Sequence, residues 1–240
     1  MGDNMEKILL YSGGLDSWLI DKLWKPDKKI YVDLHTEYSE EEKQRLEDDV
    51  IIIDFPDISQ FMLENGVLPL RNLYLLMIAC NYSNFDDVEI CLGATAGDYL
   101  YNDKSYTFGK KSEDLLNTIY NVGKFRHPNK NIKINLNFLE YTKYDLLKEY
   151  IENGGDIEEA FNKSFTCQHP LNNKPCWSCK YCFLKWVAFY LAGYKFNDNI
   201  NKSMINYLKN IALPKIKNNE SYYGKEKIDV LNVYKYIKGE

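Results

Sequence analysis

A chain of 240 residues, 45% apolar and 27% charged, is long enough to bury a full core as one domain, or as one domain with an appendage. Lys and Arg total 30 against 35 Asp and Glu, a formal charge of −5, which argues against a partner held through a broad phosphate-contacting surface such as a tRNA. With no apolar run of about 18 residues and no charged start leading into an apolar stretch, a cytosolic protein without a membrane partner is expected; its six cysteines then point to metal or catalysis and not to disulfides.

Residues 8–17 organise the chain. Ile8-Leu9-Leu10-Tyr11 reads as a strand that runs straight into Ser12-Gly13-Gly14, and then into a helix with Leu15, Trp18, Leu19 and Leu23 on one face and Pro26 beyond it. Two adjacent glycines permit positive φ and bring no Cβ atoms, while the helix start presents unpaired N–H groups. Such a turn cradles an anion, with Ser12 and Ser17 adding hydroxyl donors. Asp16, unusual beside phosphate, is placed to hold a Mg²⁺ or to cap the turn. Glycines alone would suit any βα turn. The whole string Ser12-Gly13-Gly14-Leu15-Asp16-Ser17 resembles the pyrophosphate loop of the ATP pyrophosphatase superfamily; it is not a Walker loop, because no Gly-Lys-Ser/Thr follows. The resemblance implies that residues 10–17 bind ATP and that ATP is cleaved to AMP and pyrophosphate.

Ile30-Tyr31-Val32-Asp33-Leu34 is predicted to be a second strand, followed by Ser39 and Glu42 as the capping box of an acidic helix. Val50-Ile51-Ile52-Ile53 reads as a third strand apolar enough to be buried on both faces. Strands alternating with helices imply a doubly wound, mostly parallel α/β sheet whose ligands sit at the carboxyl ends of the strands. Residues 69–82 form a helix apolar almost all round, expected to be buried. Arg71 in its first turn then needs an anionic partner: a neighbouring acid, a phosphate or a substrate carboxylate.

Val88-Glu89-Ile90-Cys91-Leu92 is a fourth strand ending at Gly93-Ala94-Thr95-Ala96-Gly97-Asp98, small residues that leave room for a ligand. Asp98 is expected in the same crevice, holding a Mg²⁺ or accepting from the amino group of a purine-like base. Residues 99–109 have no clean period and read as a substrate loop, followed by a helix over 112–122. Ile132, Ile134 and Leu136 alternate as a late strand. Thr142 and Asp145 then cap a helix that ends at Gly154-Gly155. Lys143 in its first turn opposes the helix dipole, so it either swings into solvent or is held by an anion in the cleft.

Cys167, Cys176, Cys179 and Cys182 have the spacing of a structural Zn²⁺ site, in which four thiolates leave no position for a substrate water. Redox or sulfur-transfer chemistry at Cys179 and Cys182 is the rival reading. Cys80 and Cys91 sit in apolar runs as small hydrophobes, and His35, His127 and His169 appear isolated. Residues 183–194 form an aromatic-rich helix, 200–212 a second helix, and 213–240 a short terminal helix after Pro214. The aromatic helix suggests a homodimer. The expected organisation is a nucleotide-binding α/β domain over 1–155 and a helical zinc-binding region with a tail over 156–240.

The loop at 12–17 together with Cys-x8-Cys-x2-Cys-x2-Cys about 150 residues later resembles the QueC family, the 7-cyano-7-deazaguanine synthases. Pro69-Leu70-Arg71-Asn72 looks like that family's Pro-x-Arg-Asn helix start, Gly93 to Asp98 like its Gly-x-Asn-x-x-Asp strand end, and Thr142-Lys143 like its Thr-Lys helix start. The resemblance spans residues 7–193 and implies an adenine nucleotide alpha hydrolase-like, Rossmann-like sheet. It implies that 7-carboxy-7-deazaguanine, ammonia and ATP give the nitrile through an adenylated carboxylate and an amide. Ser12 to Ser17 would hold the pyrophosphate with Mg²⁺, Arg71 and Lys143 would neutralise the α-phosphoryl group, and Asp98 would help to seat the deazaguanine. Some positions depart from the pattern. Thr95 replaces an Asn, and Lys185 an Arg. Asp103-Lys104 stands where the family has Asp-Cys, and the usual Asp-Tyr-Gly-Gln segment gives way to Asp33-Leu34-His35-Thr36-Glu37-Tyr38. These changes leave ATP activation and zinc untouched and bear on substrate identity and on completion of the nitrile. A QueC-like ligase that stops at the amide, or joins the deazaguanine to a protein, is therefore the second reading; a tRNA-modifying thiolase is the third.

Overall fold

A computed structural model describes residues 5–36, 39–63, 68–96, 102–122, 130–167, 169–172 and 174–239. Five parallel strands form one sheet: β1 (Glu6–Leu10), β2 (Lys28–Asp33), β3 (Val50–Asp54), β4 (Asp87–Cys91) and β5 (Asn131–Asn135), in the order β3-β2-β1-β4-β5. Ile8 of the central strand sits opposite Lys28 on one side and Ile90 on the other. The chain winds outward from β1 to β3 and then returns to β4 beside β1. This reversal opens a crevice at the carboxyl ends of β1 and β4.

Side-chain alternation along the buried strands builds two cores. Leu9, Tyr11 and Cys91 face α1 (Leu15–Trp24) together with α5 (Lys143–Glu152) and the helices that follow it. Ile8, Leu10, Ile30, Val32 and Ile90 face α3 (Arg71–Tyr82) and α4 (Asn102–Val122). The capping box expected for α5 is present in full: Thr142 Oγ1 accepts from the Asp145 amide, and the Asp145 carboxylate accepts from the Thr142 amide.

Several elements differ from their sequence reading. β3 is an edge strand and leaves Ile52 51% exposed, because the last strand in the order has a neighbour on one side only among the described residues. Helix α3 buries only Leu76, Ala79 and Cys80, so its apolar character exceeds its burial. The stretch read as a loop over 99–109 is helical from Asn102, because α4 has 21 residues and its mixed polar pattern masks the period. In α2 (Ser39–Lys43), Ser39 Oγ accepts from the Thr36 amide instead of pairing with Glu42, so the box expected there does not form. Pro214 does not start the terminal helix. It lies in the first turn of α9 (Leu213–Lys217), which continues α8 (Asp198–Tyr207) through a π-helical turn at Leu208–Ala212. The terminal helix is α10 (Gly224–Lys238).

The aromatic helix α7 (Lys180–Leu191) is consumed within its own chain. Phe183, Trp186 and Phe189 are fully buried against neighbours that include Tyr207, Tyr222 and Phe196, while Tyr181 on the same helix is exposed. No helix among the described residues is long and apolar enough to cross a membrane.

Candidate nucleotide cleft and cysteine cluster

The cradle forms as a tight knot of short polar groups. Gly13 adopts φ +70°, the left-handed conformation that an L side chain resists, and Gly14 stands extended as the N-cap of α1 without a side-chain cap. Ser12 and Ser17 hydroxyls lie 3.4 Å apart, the Ser12 amide donates to Ser17 Oγ at 3.3 Å, and Ser17 Oγ donates to the Gly14 carbonyl at 3.2 Å. The first-turn amides of α1 thus have no capping side chain, and an anion at the helix start would take that place.

This knot opens on a cleft of about 740 Å³, enough for a nucleotide and a second small molecule. Its walls collect most of the residues expected at the site: Leu10 to Ser12 and Gly14 to Ser17 from the first turn, Arg71 and Asn72 from the start of α3, Gly93 and Ala94 after β4, and Lys143 from the start of α5. Sheet order makes this convergence, since the amino ends of three helices and the carboxyl ends of β1 and β4 meet there. Asp98, expected in the same crevice, lies outside the described residues, as does His127.

Lys143 does not reach into solvent: its ammonium pairs with the Asp16 carboxylate, both groups being largely buried. Arg71 is exposed at the mouth of the cleft and its Nε donates to Asn72 Oδ1 at 3.3 Å. Among the described residues it makes no ion pair, although the Glu42 carboxylate is close enough to feel its charge. The salt-bridge reading of Arg71 is thus not realised among the described residues.

Glu42 is a cleft residue that the sequence reading assigned to helix capping. It accepts from the Tyr31 hydroxyl at 2.9 Å, and burial pushes its carboxyl up to about 7 against the opposing pulls of Tyr31 and Arg71. Arg45, also on the cleft wall, lays its guanidinium over the Phe165 ring at 3.4 Å from the centroid. No local pattern distinguishes these two residues from an ordinary charged helix; the segment after α2 lies over the first turn, with the Arg45 carbonyl 3.7 Å from where a Cβ on Gly13 would stand.

His35 is not isolated. Its Nε2 lies 3.0 Å from Asp54 Oδ1 and its amide donates to Asp33, so Asp33, His35 and Asp54 cluster past the ends of β2 and β3. Lys43 already sits on Asp33 at 2.7 Å and supplies the positive charge there.

The four cysteines converge as expected. Their sulfurs all lie within 4.8 Å of one another, and Cys176 Sγ is 3.9 Å from Cys182 Sγ. A tetrahedral Zn²⁺ with Zn–S bonds of ~2.3 Å spaces its sulfurs ~3.8 Å apart, so the set fits that ion. Backbone amides complete the shell: the Cys176 amide donates to Cys167 Sγ at 3.3 Å, and the Cys182 amide to Cys179 Sγ at 3.4 Å. Cys80 and Cys91 are buried away from this cluster, and burial raises both thiols to about 12.

The family model for "Queuosine biosynthesis protein QueC" matches residues 42–193, more than half of the chain and inclusive of all four clustered cysteines. The chain belongs to the QueC family. Two curated relatives, both named 7-cyano-7-deazaguanine synthase, come from Prochlorococcus marinus. The protein of subspecies pastoris is 24% identical over 228 residues, covering 82% of this chain and 98% of its own length. That of strain MIT 9301 is 25% identical over 218 residues, covering 78% and 94%. No solved structure gives a significant match. The QueC match begins after the Ser12–Ser17 turn, so the cradle stands on its geometry and on its sequence motif, whereas the cysteine cluster lies inside the matched span.

Proposed function

We propose that this QueC-family protein is an ATP-dependent, C–N bond-forming ligase that converts 7-carboxy-7-deazaguanine and ammonia to 7-cyano-7-deazaguanine. One observation carries the reading: the uncapped start of α1 and the Ser12–Ser17 turn open on a cleft into which Arg71 and Lys143 also project. Backbone N–H groups of the turn hold the pyrophosphate portion of ATP, whose charge a bound Mg²⁺ would screen. A substrate carboxylate oxygen attacks the α-phosphorus, and the bond to pyrophosphate breaks. Lys143 and Arg71 stabilise the charge that gathers on the α-phosphoryl oxygens. Ammonia then displaces AMP and loses a proton to leave the amide. A second ATP adenylates the amide oxygen, and loss of AMP and a proton leaves the nitrile.

Asp98 helps to seat the deazaguanine, and Zn²⁺ on the four cysteines staples the 164–182 loop, taking no part in the chemistry. Residues 1–155 supply the nucleotide unit and 156–240 the helical metal-binding region. The relatives' names support this reading of the substrate, at identities of 24 to 25%. The replacement of family residues at Thr95 and Lys104 favours, as a second reading, a ligase that stops at the amide or joins the deazaguanine to another acceptor such as a protein.

The test is product mass. The protein is incubated with the deazaguanine acid, ATP, Mg²⁺ and ammonium; a nitrile with two AMP per product supports the first reading, and an amide or a protein adduct the second. ATP turnover that requires tRNA as acceptor would overturn both.

A further inference from the structure

We infer that residues 161–167 form a strap that couples the metal cluster to the nucleotide cradle, with Lys185 as a positioning residue that anchors it. The inference rests on the nucleotide reading of the Ser12–Ser17 turn.

The Phe165 amide donates to the Gly13 carbonyl at 3.0 Å, the only backbone hydrogen bond among the described residues from the strap to this turn. A trans peptide is planar, so its C=O and N–H point in opposite directions. Fixing the Gly13 carbonyl on the strap therefore aims the Gly14 N–H the other way, where it meets Ser12 Oγ at 3.4 Å inside the cradle. Two successive glycines have little intrinsic preference for this orientation, and the strap supplies it.

The strap is itself held at both ends. Lys185, only 4% exposed, donates from Nζ to the carbonyls of Phe161 at 2.8 Å and Ser164 at 2.6 Å, with the Phe161 and Phe189 rings around it. At the other end Cys167 is a member of the thiolate cluster. Only Phe165 and Thr166 separate the residue held by Lys185 from the residue held by metal, so displacement of Cys167 pulls on the Phe165 amide. Arg45 on the Phe165 ring ties the same segment to the cleft wall. Metal retention and nucleotide affinity thus share one element, and linkage requires each to strengthen the other by the same factor.

Zinc-loaded full-length protein is mixed with a chromogenic chelator, with and without a saturating non-hydrolysable α,β-methylene ATP and Mg²⁺, after calorimetry has established saturation. Zinc affinity, read from the equilibrium split of zinc between protein and chelator, rises about 5-fold or more when the analogue is bound. Lys185→Met retains zinc but loses this gain, and Lys185→Arg, which can donate to the same two carbonyls, restores it. An equal split of zinc with the analogue demonstrably bound would overturn the coupling while leaving the nucleotide site intact. The full gain in Lys185→Met would overturn the role of Lys185. An analogue that does not bind at all would instead bring down the nucleotide reading, and the coupling with it.

Discussion

Lys143, the first residue of α5, sets its ammonium against the carboxylate of Asp16 in the first turn of α1, 127 positions earlier in the chain. A cation at a helix start is opposed by the dipole of its own helix, and Asp16 offsets that cost. The pair holds a movable positive charge at the lip of the cradle, where a triphosphate would compete with Asp16 for it.

Replacing Lys143 with Met removes the cation paired with the Asp16 carboxylate beside the proposed phosphate site. Pyrophosphate release in the presence of the deazaguanine acid is expected to fall about 10²- to 10³-fold, the scale of removing one electrostatic stabiliser. Asp16→Asn, which removes the carboxylate paired with the lysine, is expected to fall less. Wild-type turnover in Lys143→Met would remove that residue from the machinery.

Cys179→Ser removes one of four ligands. Zinc measured by plasma mass spectrometry is expected to drop well below one per chain, and the thermal midpoint and soluble yield to fall with it, since a structural metal contributes directly to folding. An equally stable, metal-free variant would contradict a structural site.

Glu42 gives a pH signature. Its carboxyl is raised by burial to about 7 in the folded chain from an ordinary value near 4.5, so the native state binds the extra proton between those limits. Its contribution to stability is complete below about pH 4.5 and is lost as the pH rises through 7. Glu42→Gln keeps an acceptor for Tyr31 and carries no charge. It is expected to match the wild type at pH 4 and to exceed it at pH 8 by roughly 1 to 3 kcal/mol in urea denaturation. A difference independent of pH would show that the carboxyl titrates normally.

Gly93 sits at φ +71°, with the Leu10 carbonyl 3.4 Å and Ser17 Cβ 3.7 Å from where a Cβ would stand. Gly93→Ala is expected to cost about 1 to 2 kcal/mol from the left-handed backbone alone. Relaxation of that strained backbone reaches Ser17, its neighbour in ordinary van der Waals contact, and adds a rise in KM for ATP, read by the pyrophosphate assay. A stability loss with unchanged KM would separate the β4 turn from the cradle.

Much of the fold was legible because its signals are local. Strands β1, β2, β4 and β5, helix α1, the Thr142–Asp145 box and the cysteine spacing each depend on residues within a few positions of one another. Burial was less legible. Ile52 on the edge strand and the half-covered α3 carry the same apolar code as core elements, and only the order of strands decides which faces are covered. Within α4 the polar residues after Asn102 hid a helix that reads as a loop.

The sequence by itself determined the class of sheet, the glycine turn beyond the first strand, and the four-thiolate set, because turn chemistry, side-chain period and ligand spacing are properties of short stretches. Tertiary structure alone decided that Lys143 meets Asp16, that Glu42 turns from a helix cap into a half-buried cleft carboxyl, and that Phe165 reaches Gly13. Those contacts join residues far apart in the chain, and they exist only once the strand order has brought the helix starts and the strap to one end of the sheet.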